Sequence, residues 1–362
     1  MSGWDAVRAL LAEGVADGTF PGAVAVVGRG DRVLLEAAAG VTRLLPAPGE
    51  PVTSATWFDL ASLSKPIATT TVALALAAEG RLDLDAPVTR YRPSFAHPGV
   101  TVRHLLAHAS GLPAWLPLHE RLRGRPDARR AAAELVDETP LEAPPGTRAV
   151  YSDLGFITLG AVLERVGEAR LDALFERYVR GPFGLVETGF APIGERAPWP
   201  PGASVAATED SAWRGGVLEG EVHDDTAWAM GGVAGHAGLF ATGRDVYRFC
   251  ARWLALREGE PGPIPHRLVE ETFRRQGARV TTRTLGWDTP TEGASAAGTR
   301  FALDSIGHLG YSGTSMWIDP GRRLVAVLLT NRVHPTRENR RIQAFRPRFH
   351  DLVAAAFDEP AR

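Results

Sequence analysis

Lysine is almost missing from this chain of 362 residues: of its forty lysine and arginine residues only Lys65 is a lysine. Arginine serves wherever charge alone is needed, because its guanidinium keeps its proton in a protein, whereas a desolvated lysine can lose its proton and act as a base. The one lysine therefore marks a place where arginine does not suffice. Cysteine is as scarce. A single Cys250 excludes an intrachain disulfide and a thiolate metal site, and its setting, Val246-Tyr-Arg-Phe-Cys-Ala-Arg-Trp253, predicts a half-buried helix position. Asparagine is reduced to Asn331 and Asn339. Excess charge is lacking too: a formal charge of −2 gives no general attraction to nucleic acid or anionic lipid, so a partner has to be recognised locally. The longest apolar stretch, Ile67 to Ala78, contains three threonines and falls short of the roughly twenty residues a membrane helix needs. The N-terminus, Met-Ser-Gly-Trp-Asp-Ala-Val-Arg, reads as an amphipathic helix carrying an acid rather than an export signal, which predicts a cytoplasmic protein with no membrane partner.

What is present is a mixed chain, long enough for two domains or one large one. After the first helix, Gly22 to Gly28 and Arg32 to Glu36 are β-rich runs separated by Arg29-Gly-Asp31, the pattern of a hairpin. The run from Ser62 to Ala78 is apolar nearly all round and reads as a buried helix. Helical patterns follow at Val102 to Ala109, Ala128 to Val136, Leu154 to Val166, Leu171 to Val179 and Asp245 to Leu256. Strand patterns return at Thr284 to Trp287, Gly313 to Ile318 and Arg323 to Thr330, with a closing helix from Arg341 to Phe357. Strands at both ends around a helical middle predict an α/β (α+β) fold. Residues 1–60 and 266–362 supply an antiparallel sheet flanked by helices, 61–265 a mostly helical domain, and the active site lies between them.

Chemistry concentrates around the lone lysine. Ser62 and Lys65 are three residues apart, so on a helix they share a face and a hydroxyl comes within reach of an amine. Pro66 requires that helix to begin near Ser62, which puts the serine at the positive end of the helix dipole. Three other segments bear on the pair. Tyr151-Ser-Asp153 enters a helix from a loop, Gly307-His-Leu-Gly-Tyr311 carries glycines that let strand backbone approach a ligand, and Met230 to Phe240 is a glycine-dense loop.

Ser62-x-x-Lys65, Tyr151-x-Asp153 and His308-x-Gly310, in this order, resemble the serine β-lactamase-like hydrolases: class C β-lactamases, penicillin-binding proteins, and their esterase and D-aminopeptidase relatives. Val102-Arg-His-Leu-Leu-Ala-His-Ala-Ser-Gly-Leu-Pro113 and Gly235-His-Ala-Gly-Leu-Phe240 extend the likeness over nearly the whole chain. The resemblance implies that Ser62 is an acylated nucleophile and that Lys65 and Tyr151 share the proton work, each lowering the other's pKa. It further implies that the backbone N–H groups of Ser62 and Tyr311, beside Gly310, form an oxyanion hole. His308 stands where many relatives carry the lysine of Lys-Thr-Gly, and is expected to donate a hydrogen bond to a substrate carboxylate or to Tyr151. Asp153 stands where penicillin-recognising enzymes carry asparagine, and a carboxylate there favours a protonated Lys65 or a substrate bearing an amine. These two departures turn the expectation from penicillin hydrolysis toward an esterase or amidase acting on a small-molecule ester or amide, with no cofactor. The alternatives are a β-lactamase, D,D-peptidase or D-aminopeptidase, and a non-catalytic penicillin-binding-like sensor.

Other signals carry less. His104 and His108 have a metal-ligand spacing but lack the accompanying glutamate, and are expected to be structural. His236 either holds the glycine loop or packs there. His223-Asp-Asp225 reads as loop polar contacts. Arg121 to Arg130 and Arg337 to Arg348 read as solvated helix faces rather than a nucleic-acid surface. No G-x-S-x-G elbow, phosphate loop or dinucleotide fingerprint is present. Trp115 and Trp228 are candidates for the pocket wall, and the oligomeric state is left open.

Overall fold

The computed structural model describes residues 2–276, 281–293 and 295–359. Five antiparallel strands, β1 (Gly22–Arg29), β2 (Arg32–Gly40), β3 (Ile306–Leu309), β4 (Ser315–Asp319) and β5 (Leu324–Thr330), form one sheet in the order β2-β1-β5-β4-β3. The helices that bear on the site are α1 (Gly3–Ala16), α2 (Thr71–Ala78), α3 (Asp153–Gly167), α4 (Gly243–Arg257) and α5 (Ile342–Asp358). The two ends of the chain meet where β1 pairs with β5, Val26 opposite Val327.

Alternation explains why both faces of the sheet are covered. Val24 and Val26 of β1 join Val325, Val327 and Leu329 of β5 in one core, which α4 caps. Ala23, Ala25 and Val27 join Ala326 and Leu328 in a second core against α1 and α5. Helix α1 starts at a capping box, Ser2 Oγ accepting the Asp5 N–H while the Asp5 carboxylate accepts the Ser2 N–H. Cys250 on α4 is fully buried rather than half-buried, its sulfur 3.6 Å from that of Met316 on β4.

The helical path from residue 61 to 78 is wound in three ways: a 3₁₀ turn at Ala61–Leu63, a π-helical stretch at Lys65–Thr70, then α2. It was expected as one regular helix; wider winding just after a serine and before threonines is a local device often found at functional sites. By length and composition alone this stretch could cross a membrane, but 83% of it is buried in the fold, which accounts for its apolarity. A small sheet of Phe58–Asp59, Leu239–Ala241 and Thr188–Phe190 clamps its start against the glycine-dense loop.

Three sequence expectations are corrected. Thr284 to Trp287 is a turn, not a strand, bounded by a single bridge between Arg283 and Asp288, with Gly286 at φ +74°. The helix at Val102 ends at Leu106, so His108 lies outside it with φ +54°. The helix at Leu171 ends at Phe175 and continues as a π-helical turn, Glu176–Arg180.

Candidate active site

Ser62 is presented by a turn that the sequence strains and then braces. Ala61 sits in the left-handed region at φ +47°, a conformation that costs a non-glycine residue about 1 kcal/mol or more. The buried Asp59 carboxylate holds it there, accepting the Ala61 N–H at 2.7 Å and, through its other oxygen, the His223 N–H at 2.6 Å. Ser64 Oγ donates back to the Ala61 carbonyl at 2.7 Å.

Lys65 has no solvent exposure. Its ammonium donates to Ser62 Oγ at 2.9 Å and to the His236 carbonyl at 3.0 Å, and lies 2.7 Å from Asp153 Oδ1. Burial opposes the charge, but the Asp153 carboxylate and Tyr151 outweigh it, so the lysine pKa is raised. The resting Lys65 is therefore a held cation, not the ready neutral base that a lone lysine suggested.

Tyr151 lies beside it, with the ammonium 4.9 Å and the Arg283 guanidinium 5.1 Å from its ring centre. Its hydroxyl is buried with no bonding partner among the described residues. Burial raises the phenol pKa even though the Lys65 charge pulls the other way. The expectation of mutual lowering is thus corrected: the resting pair is an ammonium and a phenol.

His308 also departs from expectation. Its Nδ1 lies 2.9 Å from the Leu309 carbonyl, which can only accept, so Nδ1 carries the proton and Nε2 is a bare acceptor, buried and without a partner among the described residues. Burial, and then the charges of Lys65 and Arg283, hold its pKa well below the ordinary histidine value. His308 offers a lone pair where donation had been expected. Next to it Gly310 has no room for a side chain: a Cβ would lie 2.7 Å from the Leu60 carbonyl of the serine turn. Neither the Ser62 nor the Tyr311 backbone N–H has an acceptor among the described residues, so both are free to hold an oxyanion.

Comparison with known proteins identifies the family. The sequence profile of the Beta-lactamase family matches residues 7–346. The chain belongs to the Beta-lactamase family, and is a serine hydrolase of that fold. Curated relatives provisionally named D-alanyl-D-alanine carboxypeptidase include one from Salmonella agona, 32% identical over 78% of this chain and 71% of the relative. Another, from Salmonella paratyphi B, is 31% identical over 88% and 80%. Among solved structures, EstCE1, a hydrolase with promiscuous acyltransferase activity, superposes with TM-score 0.77 at 23% identity, covering 98% of each chain. Simvastatin synthase from Aspergillus terreus reaches 0.75 at 18%, covering 99% of this chain and all of the other. The fold and the family resemblance are both borne out.

In this Beta-lactamase-family site two cavities meet at Ser62. One, about 390 Å³, is lined by Tyr151, His308, Arg283, Arg340 and Arg346; the other, about 410 Å³, by Asp153, His236, Trp115 and Tyr311. Arg346 is buried on α5, donating to the Gly310 and Thr314 carbonyls at 2.6 and 2.8 Å, with no carboxylate paired to it among the described residues. Burial, then Arg332, pushes its pKa down to about 9. Arg346 and the half-buried Arg337 thus face a cavity, correcting the reading of 337–348 at these two positions, whereas Arg340, on the rim of the same cavity, and Arg341 and Arg348 are exposed as expected, Arg348 pairing with Glu13. Arg130 does pair on the surface, with Asp127 and Glu134. Trp115 is half-exposed on the cavity wall, whereas Trp228 packs away from it and donates to Glu221.

The histidines divide by role. His104 and His108 do not converge, for His104 accepts the Thr101 N–H on its own helix while His108 packs against Tyr151. His236 anchors the glycine loop through Asp224 at 2.9 Å, and its carbonyl rather than its ring reaches Lys65. His223 contacts Glu209 and stacks on Tyr311. Sequence reasoning missed Asp59, His108, Arg283 and Arg346. Asp59, in the lead-in Thr56-Trp-Phe-Asp59, is the one whose place three residues before Ser62 could have flagged it.

Proposed function

We propose that this chain hydrolyses small esters or amides through an acyl-enzyme on Ser62. The observation that carries the reading is the Lys65 ammonium 2.9 Å from Ser62 Oγ, backed by Asp153 and Tyr151 at the junction of two cavities. In the reactive form Tyr151 has lost its proton, a minor population at neutral pH that the neighbouring ammonium favours. Ser62 Oγ bonds to the carbonyl carbon as its proton passes to the Tyr151 oxygen, and the oxyanion rests on the Ser62 and Tyr311 amides. Tyr151 returns the proton to the leaving oxygen or nitrogen as that bond breaks. Water then repeats the sequence and releases the acid. No cofactor enters.

A second reading, a D,D-peptidase, is favoured by Arg340 and the buried, acid-free Arg346, which would hold a carboxylate on the leaving group in place of the missing lysine. The test compares 3-carboxyphenyl butyrate with phenyl butyrate, alongside nitrocefin and an N-acylated D-alanyl-D-alanine peptide. Preference for the carboxylated ester, lost in Arg346→Gln through a raised KM, supports an acid-bearing substrate. Peptide cleavage exceeding ester turnover selects the peptidase, nitrocefin turnover exceeding both selects a β-lactamase, and stable acylation with no turnover selects the sensor.

A further inference from the structure

His108 has no part in the function described so far, yet it grips the chain on both sides of Tyr151. Its carbonyl accepts the Val150 N–H at 2.8 Å, and its ring Nδ1 accepts the Ser152 N–H at 3.0 Å. Between these two anchors the imidazole lies on the Tyr151 ring, centroids 4.5 Å apart, and also against Phe156 at 4.9 Å. Its backbone does this at φ +54°, a left-handed conformation uncommon outside glycine but one that histidine adopts more readily than most residues. The ring of His104, four residues earlier, is not aimed at this segment: its Nδ1 accepts the Thr101 N–H of its own helix cap.

The phenol needs an outside support. The Tyr151 hydroxyl is turned toward Lys65 and Ser62 but has no well-aligned hydrogen bond among the described residues, so its direction depends largely on the backbone around it and on what its ring rests on. We propose that His108 is the positioning residue of Tyr151, a three-point clamp that aims the phenol oxygen at Ser62 and Lys65; this rests on the reading of Tyr151 as the proton carrier. The clamp is neutral by construction. An amide N–H can be accepted only by a bare ring nitrogen, so the proton sits on Nε2. Burial, then Arg283 and Lys65, hold the pKa of this ring well below the usual value, so it does not charge as the site works.

The test uses the full chain and four variants. Asparagine places its side-chain oxygen near the position of Nδ1 and tolerates the left-handed backbone, so His108→Asn should keep kcat within about fivefold of wild type. His108→Gln misplaces the acceptor and His108→Phe removes it; each should lower kcat about a hundredfold with KM within about twofold. Equal losses for Asn and Gln, or wild-type kcat in Gln, would overturn the clamp. Tyr151→Phe is run in parallel: if it keeps wild-type turnover, the reading of Tyr151 falls, whereas an inactive Tyr151→Phe beside a fully active His108→Gln removes only the clamp. Should the variants fail to fold by circular dichroism, ¹⁵N-histidine spectra of the wild type decide. A His108 ring protonated on Nε2 and unchanged from pH 5 to 9 is expected, and an Nδ1–H tautomer or a titration in that range would overturn it.

Discussion

The Asp153 carboxylate stands 2.7 Å from the Lys65 ammonium, and this contact sets the electrical state of the whole site. With Ser62 Oγ and the His236 carbonyl it gives the three ammonium protons three neighbours, so the lysine has nowhere to shed its charge. The consequence is a division of labour: Lys65 supplies a fixed positive field and Tyr151 moves the proton.

Asp153→Asn should move the pH profile. The carboxylate raises the pKa of both Lys65 and Tyr151, so its removal lowers both. In the wild type, kcat/KM should climb with pH through 9 without levelling, because the phenol pKa lies above its ordinary value; in the variant the climb should level at lower pH. A profile of kcat/KM from pH 5 to 11 checks this, and an alkaline shift in the variant contradicts it.

Lys65→Arg keeps the charge but brings a planar fork into a fully buried site shaped for a tripod. Turnover should fall about 10²- to 10⁴-fold, with overpacking costing about 1–3 kcal/mol of stability. Steady-state kinetics together with a denaturation curve separate the two effects.

Gly310→Ala should disable the site without removing a polar group. The added Cβ would lie 2.0 Å from Thr314 Oγ1 and 2.7 Å from the Leu60 carbonyl, so the strand has to withdraw from the serine turn. A loss of kcat of about a hundredfold is expected, measured on ester substrate with circular dichroism as the control.

Asp59→Asn should destabilise the fold. Both carboxylate oxygens accept backbone N–H groups, and an amide would turn its NH₂ toward one of those donors. A loss of about 1–3 kcal/mol is expected from the unpaired donor, read by chemical denaturation.

Much of this was legible in the sequence where chemistry is local. Ser62 and Lys65 declare themselves by spacing and by the rarity of lysine, and the alternation in Ala23-Val-Ala-Val-Val27 announces a sheet covered on both faces. What hid was set by distant partners. Leu105 to His108 keeps a helical pattern, but the amides of Val150 and Ser152 draw His108 out of the helix. Thr284 to Trp287 has strand-like residues, yet Gly286 turns the chain tightly against Thr70. Arg346 reads as one more surface arginine until Gly310 and Thr314 bury it. The tautomer of His308, and hence its role as acceptor, depends on a carbonyl that no motif records.

The central claim is that Ser62 is acylated, and intact mass spectrometry after exposure to a fluorophosphonate tests it most directly. The wild type should gain one adduct and lose p-nitrophenyl butyrate turnover in step, while Ser62→Ala gains none and is inactive. An adduct of equal yield in Ser62→Ala, or ester turnover surviving in that variant, would contradict the account.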